Sequence, residues 1–259
     1  MRRQPAYPEL MFDLSTPLLI AVAATFFAAG IVKGVTGMGL PTVAMGVLGA
    51  IVSPLAAASL LIIPSFVTNL WQLLAGPSLG PLIRRLWPMM LAIVVGTVLG
   101  TSLLASGDTR LTSVALGSAL VIYSAYTLFA RQLEVPKRLE AWLSPAIGAT
   151  TGAVTGGTGV FVIPAVPYLQ ALGFEKDDLV QALGLSFTIS TIALAIGLGA
   201  RGSFQLDQIT LSALAVVPAL AGMWAGQFVR RLISPAAFRR GFLICLMLLG
   251  LEMVLRHVL

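Results

Sequence analysis

The chain has 259 residues, of which 58% are hydrophobic and only 10% are charged, and its net charge is +6. About a quarter of the residues of a soluble domain are charged, so a surface this poor in charge excludes a soluble globular protein. Apolar runs long enough to cross a bilayer recur along the chain, and they are continuous rather than alternating, which favours helices over a β-barrel. We therefore predict an all-α, polytopic integral membrane protein surrounded by the lipid bilayer.

Between eight and ten helical segments are predicted in chain order. In the first half they are Leu14–Val32, a short Leu40–Val52, Leu55–Leu74, Trp87–Leu104 and Leu111–Phe129. In the second half they are Trp142–Ala153, a short Phe161–Leu172, Leu179–Leu198, Ile209–Phe228 and Gly241–Leu255. Four prolines lie inside apolar runs and are expected to kink or break them: Pro64, Pro164, Pro167 and Pro218.

The two halves of the sequence resemble each other. A pair of glycines at Gly30 and Gly34, followed by a Thr/Gly-rich stretch, has a match at Gly148 and Gly152. Further on, Ser65-Phe66 is matched by Ser186-Phe187. This pattern predicts an internal duplication, with residues 1–131 as the first membrane repeat and 132–259 as the second, together forming one integrated membrane domain.

The loop charges predict how the repeats are oriented. The positive clusters are Arg84-Arg85, Arg131 with Lys137-Arg138, and Arg230-Arg231 with Arg239-Arg240. The positive-inside rule places these three loops in the cytoplasm and the intervening loops outside. The two halves then start on opposite sides of the membrane, so we predict inverted repeats. The same loop arginines explain the net charge, and no nucleic-acid partner is predicted.

Two glycine clusters at membrane depth are the main functional signal. They are Gly34–Pro41 and Gly152–Gly159, and so much glycine predicts broken or re-entrant helices. Discontinuous helices at matching places in two repeats point to a transporter's binding site, where backbone N–H groups at helix ends suit an anion. The alternative is close helix packing through small residues. The threonines within the clusters favour a binding site.

Several side chains are candidates for the same site. Lys33 either attracts an anion or extends to the membrane interface. Asn69 and Gln72 lie three residues apart on one helix face and either bind substrate or bridge helices. We predict that backbone N–H groups carry most of the binding and that Lys33 acts at the edge. The predicted substrate-binding residues are Lys33, Gly34, Thr36, Gly37, Gly39, Asn69, Gln72, Thr155, Gly156, Gly157, Thr158, Gly159 and Ser186.

Other classes of function find little support in the residues. No Ser/His/Asp, G-x-S-x-G or H-E-x-x-H pattern is present, so we predict no enzyme and no catalytic residues. The chain has one cysteine and one histidine, so no metal site and no cofactor are predicted. Glu252 is the one acidic residue expected at a mid-membrane position, so the sequence offers few acidic side chains that could bind a cation within the membrane. A cation carrier and a membrane scaffold or partner subunit remain the alternatives to an anion transporter.

At the glycine clusters the sequence resembles the TauE/SafE family of sulfite exporters and sulfonate permeases, whose repeated unit has the form G-x-x-x-G-x-x-G-x-G-G-G. The first copy has Gly30, Gly34, Gly37 and Gly39, with Leu40 and Pro41 in place of the last two glycines. The second copy has Gly148, Gly152, Gly157 and Gly159, with Thr155 and Thr158 interrupting it. The resemblance covers essentially the whole chain. It implies a multi-pass transporter of the bacterial inner membrane for small anions such as sulfite or an organosulfonate. Assembly into a homo-oligomer is left open.

Overall fold

The computed structural model describes residues 16–130, 134–203 and 206–258, and every regular element in those ranges is a helix. The first half contains α1 (Thr16–Thr36), α2 (Leu40–Ile51), α3 (Pro54–Leu74), α4 (Leu79–Leu104) and α5 (Thr109–Phe129). The second half contains α6 (Lys137–Thr158), α7 (Ala165–Ala171), α8 (Lys176–Gly199), α9 (Leu206–Leu214), α10 (Val216–Leu232) and α11 (Pro235–Val258).

Six helical stretches in the described ranges are long and apolar enough to cross a membrane. They are α1, α3, α4, α5, α8 and the stretch Gln208–Leu232, which joins most of α9 to α10. The helix α2 is apolar but shorter. Because an α-helix rises 1.5 Å per residue, about 20 residues span the hydrocarbon core. The prediction of an all-α, multi-pass membrane protein is therefore confirmed.

The second glycine cluster does not break its helix where the sequence predicted. The helix α6 continues through Gly152, Gly156 and Gly157 and ends at Thr158, so the predicted end at Ala153 is wrong. A Cβ atom at Gly152 would collide with the carbonyl oxygen of Ile93 in α4, and one at Gly156 would collide with a carbonyl of the same helix. Close packing against α4 therefore stabilises a glycine-rich segment that would form a poor helix alone. The irregular backbone lies immediately after Gly159.

The predicted single helix Ile209–Phe228 is divided in the structure. The helices α9 and α10 meet at Ala215, three residues before Pro218. Proline has no N–H to donate to the preceding turn, and it is well tolerated within the first turn of a new helix. The break predicted from Pro218 is thus found, and it accounts for eleven described helices where ten pieces were expected.

The first helix of each half packs along a helix near the end of the other half. Gly30 and Gly34 in α1 approach Ala219 and Met223 in α10, so the two helices run parallel. The helices α6 and α4 pair in the same way. A Cβ atom at any of Gly30, Gly34, Gly148 or Gly152 would collide with the facing backbone. The structure therefore shows the small-residue packing that was the alternative interpretation of the glycine motif.

Two other central pairs, α3 with α8 and α5 with α11, are antiparallel. Gln181 in α8 contacts Leu73 and Gly76 at and just after the end of α3, whereas Gly184, further along α8, contacts Gln72 and Leu73. The helices α5 and α11 also run in opposite directions, because Gly117 faces Val254 while Gly250 faces Val121. These directions bring the ends of α3, α5 and α10 together with the starts of α4, α6, α8 and α11.

Most of the described basic residues lie at that end of the bundle, which we call the basic end. They are Arg84, Arg85, Lys137, Arg138, Lys176, Arg230, Arg231, Arg239 and Arg240. An ion pair there joins α4 to α6, with 2.6 Å between Arg85 Nε and Glu140 Oε1. The Arg85 guanidinium also lies over the ring of Phe174, 4.5 Å from its centroid. The two helix starts and the loop before α8 are thus held together at the basic end.

A proline within α3 is accommodated by a side chain from α9. Pro64 has no N–H, so the carbonyl of Leu60 loses its partner in the helix. The buried Ser212 hydroxyl donates to Leu60 O at 2.8 Å and accepts from Ile63 N at 3.2 Å. The turn of α3 that precedes Pro64 is therefore bonded by a serine from the second half of the chain.

We expect Ser212→Ala to lower the free energy of unfolding by about 1–2 kcal/mol, because it leaves the buried Leu60 carbonyl without a donor. The matched control is Ser59→Ala, whose hydroxyl bonds Leu55 O within its own helix and whose loss should change stability little. Thermal unfolding in detergent measures both. Equal effects of the two substitutions would contradict the bridging role of Ser212.

Candidate functional site

A vestibule of about 710 Å³ reaches inward from the basic end. Its walls come from the ends of α1, α3 and α10 and from the start of α8. The lining residues are Lys33, Gly34, Gly37, Thr68, Trp71, Gln72, Ala75, Gly76, Pro77, Asp177, Val180, Met223, Gln227, Arg230 and Arg231. A site of this volume can hold a small solute together with several waters.

Lys33 lies at the inner part of the vestibule and is almost completely buried, with 3% of its surface exposed. Its ammonium donates to Thr68 Oγ1 at 3.2 Å and to Asn69 Oδ1. Both partners are neutral, and the ion pair found in the described residues does not involve Lys33. A buried ammonium without a counter-charge is costly unless something else compensates it. An anion from the vestibule would supply that compensation.

The mouth of the vestibule carries further charge. Arg230 and Arg231, at the end of α10, line it together with Asp177 from the first turn of α8. Two guanidinium groups outnumber the one carboxylate, and a buried ammonium lies further in. A cleft lined mainly by one sign of charge concentrates the opposite ion. The field of the vestibule therefore favours anions.

Gln72 links the vestibule wall to α8. Its amide nitrogen donates to Val180 O at 2.8 Å, and its amide oxygen is buried with no partner in the described residues. The amide nitrogen of Asn69 is likewise buried and unpaired. The amide of Asn69 thus binds Lys33 through its oxygen and keeps its donor group available.

The helix α1 ends beside the vestibule in a short irregular segment. Gly37 and Gly39 have φ angles of 78° and 100°, which an L side chain rarely adopts. The N–H of Gly37 donates to Lys33 O at 2.8 Å, and the Thr36 hydroxyl donates to Val32 O at 2.8 Å. The helix end is therefore closed by its own residues, and the Gly37 N–H is already used.

The end of α6 has the same hydrogen-bond pattern. The N–H of Gly159, whose φ is 71°, donates to Thr155 O at 2.7 Å, and the Thr158 hydroxyl donates to Val154 O at 2.7 Å. Gly159 thus corresponds to Gly37, and Thr155 occupies the place that Lys33 has in α1. This correspondence is shifted by one helical turn from the one suggested by the glycine motif.

The vestibule includes part of the predicted site. Lys33, Gly34, Gly37 and Gln72 line it, and Asn69 contacts Lys33. The remaining predicted residues do not line it: Thr36, Gly39, Thr155, Gly156, Gly157, Thr158, Gly159 and Ser186. The two clusters end different helices, and the second packs against α4 and against Met45 of α2. A binding role for the predicted residues that do not line the vestibule stays a prediction.

Sequence reasoning missed several residues of the vestibule. Thr68 was not among the predicted residues, although it binds Lys33. Arg230 and Arg231 were used only to orient the chain, and Asp177 was not considered. A signal was available for the two arginines, because they follow the Gly222-x-x-x-Gly226 pair that packs against α1.

Comparison with known families decides what kind of protein this is. The family model for sulfite exporter TauE/SafE matches residues 22–253. The chain belongs to the TauE/SafE family. The match includes the ends of α1 and α6 and all residues that line the vestibule. TauE/SafE membership places this multi-pass protein among membrane transporters. Comparisons with curated proteins and with solved structures found no match.

Proposed function

We propose that this TauE/SafE protein is a secondary transporter or facilitator for a small anion, with sulfite and organosulfonates as the substrate class. The observation that carries the proposal is Lys33, a buried ammonium with neutral hydrogen-bond partners that lines the vestibule. The family description, sulfite exporter, supports the choice of sulfur-containing anions.

The vestibule suits reversible binding. An anion that reaches Lys33 gains a charge interaction but must compete with Thr68 and Asn69 for the ammonium. Two opposite charges 4 Å apart attract by about 4 kcal/mol at an effective dielectric constant near 20. Exchange with the neutral partners reduces the net gain, so the ion can also leave. In this proposal Lys33 is the main binding group, and Gly37, where an added Cβ atom would meet nothing within 4 Å, leaves room for the anion to approach the wall.

The packing of the halves supports inverted repeats. The helices α3 and α8, which occupy corresponding places in residues 1–131 and 132–259, run antiparallel, as a two-fold axis in the membrane plane requires. The basic end then lies in the cytoplasm of a bacterial cell, since positive residues collect on that side of the inner membrane. The vestibule is an inward-facing opening, and rocking of one repeat against the other would open the site to the opposite side.

Uptake by the purified protein in proteoliposomes tests the proposal. The panel contains labelled sulfite, methanesulfonate and 2-aminoethanesulfonate, with labelled rubidium as the cation. We expect uptake of at least one sulfur anion above the level in protein-free liposomes, and no rubidium uptake. Rubidium uptake without anion uptake would support a cation carrier. No uptake of any solute by correctly folded protein would support a scaffold.

A further inference from the structure

We propose that a second anion-binding vestibule, closed in this structure, lies between α4, α6 and α8 at the end opposite the basic end, with Arg201 at its mouth. This inference rests on the proposed anion transport and names the site that the substrate meets on the other side. It follows from the correspondence of the two halves and from contacts at Arg201 that the first vestibule does not explain.

The correspondence between the helix ends locates the second vestibule. The first vestibule is walled by α1, α3 and α10, with Lys33 on α1. The matching helices are α6, α8 and α4, which pack together in the structure. Thr155 takes the place of Lys33 and is fully buried. The counterpart of the open vestibule is therefore a closed region without a lysine.

That closed region contains hydroxyls that nothing satisfies. Thr97 on α4 and both Ser186 and Ser190 on α8 are fully buried, and their hydroxyl oxygens have no partner within the described residues. Ser186 and Ser190 lie one turn apart, so they share a helix face. Buried polar groups are nearly always paired, and exceptions call for an explanation. A ligand or water that enters when the region opens would pair them.

The contact that closes the region lies on the same faces of α4 and α8, nearer the end opposite the basic end. Gly197 is two turns beyond Ser190 on α8, and Thr101 is one turn beyond Thr97 on α4. A Cβ atom at Gly197 would lie 2.6 Å from Thr101 Oγ1, so the two helices touch there. The unpaired hydroxyls thus lie deeper in the bundle than the contact between Gly197 and Thr101.

Arg201 secures this contact. Its Nη1 donates to Gly197 O at 3.0 Å and to Thr101 Oγ1 at 2.7 Å. The first bond is the ordinary capping of a helix C-terminus by a cation. The second bond reaches a different helix and joins α8 to α4. When the helices separate, the guanidinium is left at the mouth beside the hydroxyl groups, a donor set that suits a small oxyanion.

Thiol labelling tests the closed vestibule. The chain has one cysteine, the exposed Cys245, so a Cys245→Ser background carrying Ser190→Cys provides a single reporter. An impermeant maleimide is applied to intact cells, and Ser106→Cys in the exposed loop after α4 identifies the labelled side. Thr101→Val removes the acceptor of Arg201. It should raise the labelling rate of Ser190→Cys about tenfold, as expected when one hydrogen bond to a charged group is lost from the closed state.

A second reporter distinguishes opening from general loosening. Ser113→Cys on α5 is also buried, and its labelling should stay low in the Thr101→Val background. If Thr101→Val does not fold, Arg201→Ala replaces it with the same expectation. Unchanged labelling of Ser190→Cys, or an equal rise at both reporters, overturns the second vestibule. The labelling result does not depend on transport, so it can fail while the proposed function stands.

The charge of Arg201 is tested separately. Arg201→Gln keeps a donor for Thr101 but removes the charge, so the labelling of Ser190→Cys should change little. The KM for an anion entering from the Arg201 end should rise about tenfold, while the KM from the basic end should change much less. An unchanged KM at the Arg201 end overturns the anion-binding role. If the uptake panel shows no anion transport, this role falls with the proposed function, whereas labelling still decides whether the vestibule exists.

Discussion

Replacing Lys33 by methionine should reduce anion uptake about a hundredfold, because among the described residues that line the vestibule Lys33 carries the buried charge. The same variant should unfold at an unchanged or higher temperature. A buried ammonium without a counter-charge costs free energy, and an apolar side chain of similar volume does not pay that desolvation penalty. Proteoliposome uptake and thermal unfolding in detergent give the two readouts.

The control is Lys137→Met, which removes an exposed lysine at the basic end and should leave the uptake rate close to that of the parent. If Lys33 only stabilised the fold, the uptake rate and the unfolding temperature would change differently. In that case Lys33→Met would lower the unfolding temperature and would reduce uptake only in proportion to the loss of folded protein. That outcome contradicts a binding role.

Gly222→Ala should have the largest effect on stability. A Cβ atom at this position would overlap the carbonyl oxygen of Phe27 in α1, and both groups belong to helix backbones that cannot move independently. The helices α1 and α10 must therefore separate, at a cost of about 1–3 kcal/mol. We expect a lower unfolding temperature and a smaller yield of monodisperse protein in size-exclusion chromatography.

Gly241→Ala is the matched control in α11, where an added Cβ atom would meet nothing within 4 Å. Alanine is a better helix former than glycine by up to about 1 kcal/mol. Gly241→Ala should therefore leave the unfolding temperature unchanged or raise it. If Gly222→Ala is as stable as Gly241→Ala, the close approach of α1 and α10 is not what the structure indicates.

The long apolar helices were predictable from the sequence because their lengths follow from the bilayer. The helices α3 and α5 begin and end within about two residues of the prediction. The starts of α4 and α6 were placed too late, at Trp87 and Trp142. The first two turns of each helix carry basic residues at the basic end, and these turns are helical although they are not uniformly apolar. A hydropathy pattern does not register such turns.

The site was predictable in part. Lys33, Asn69 and Gln72 stood out because polar side chains are rare within apolar runs. That Lys33 and Asn69 touch could not be predicted, because the contact joins residues 36 positions apart on different helices. The function of the glycines was ambiguous for a similar reason. Whether Gly152 packs or binds depends on α4, which approaches it only in the folded chain. The inner-membrane location and a homo-oligomer stay predictions.

Blocking the Lys33 vestibule tests directly whether the substrate passes through it. Gln227 lines the wall and is exposed, so Gln227→Cys in the Cys245→Ser background can be modified in detergent with a bulky maleimide before reconstitution. Arg84→Cys, exposed at the basic end but outside the vestibule, is the control. We expect modified Gln227→Cys to lose anion uptake and modified Arg84→Cys to retain it. Full modification of Gln227→Cys with uptake at the unmodified rate would show that the substrate does not pass through this vestibule.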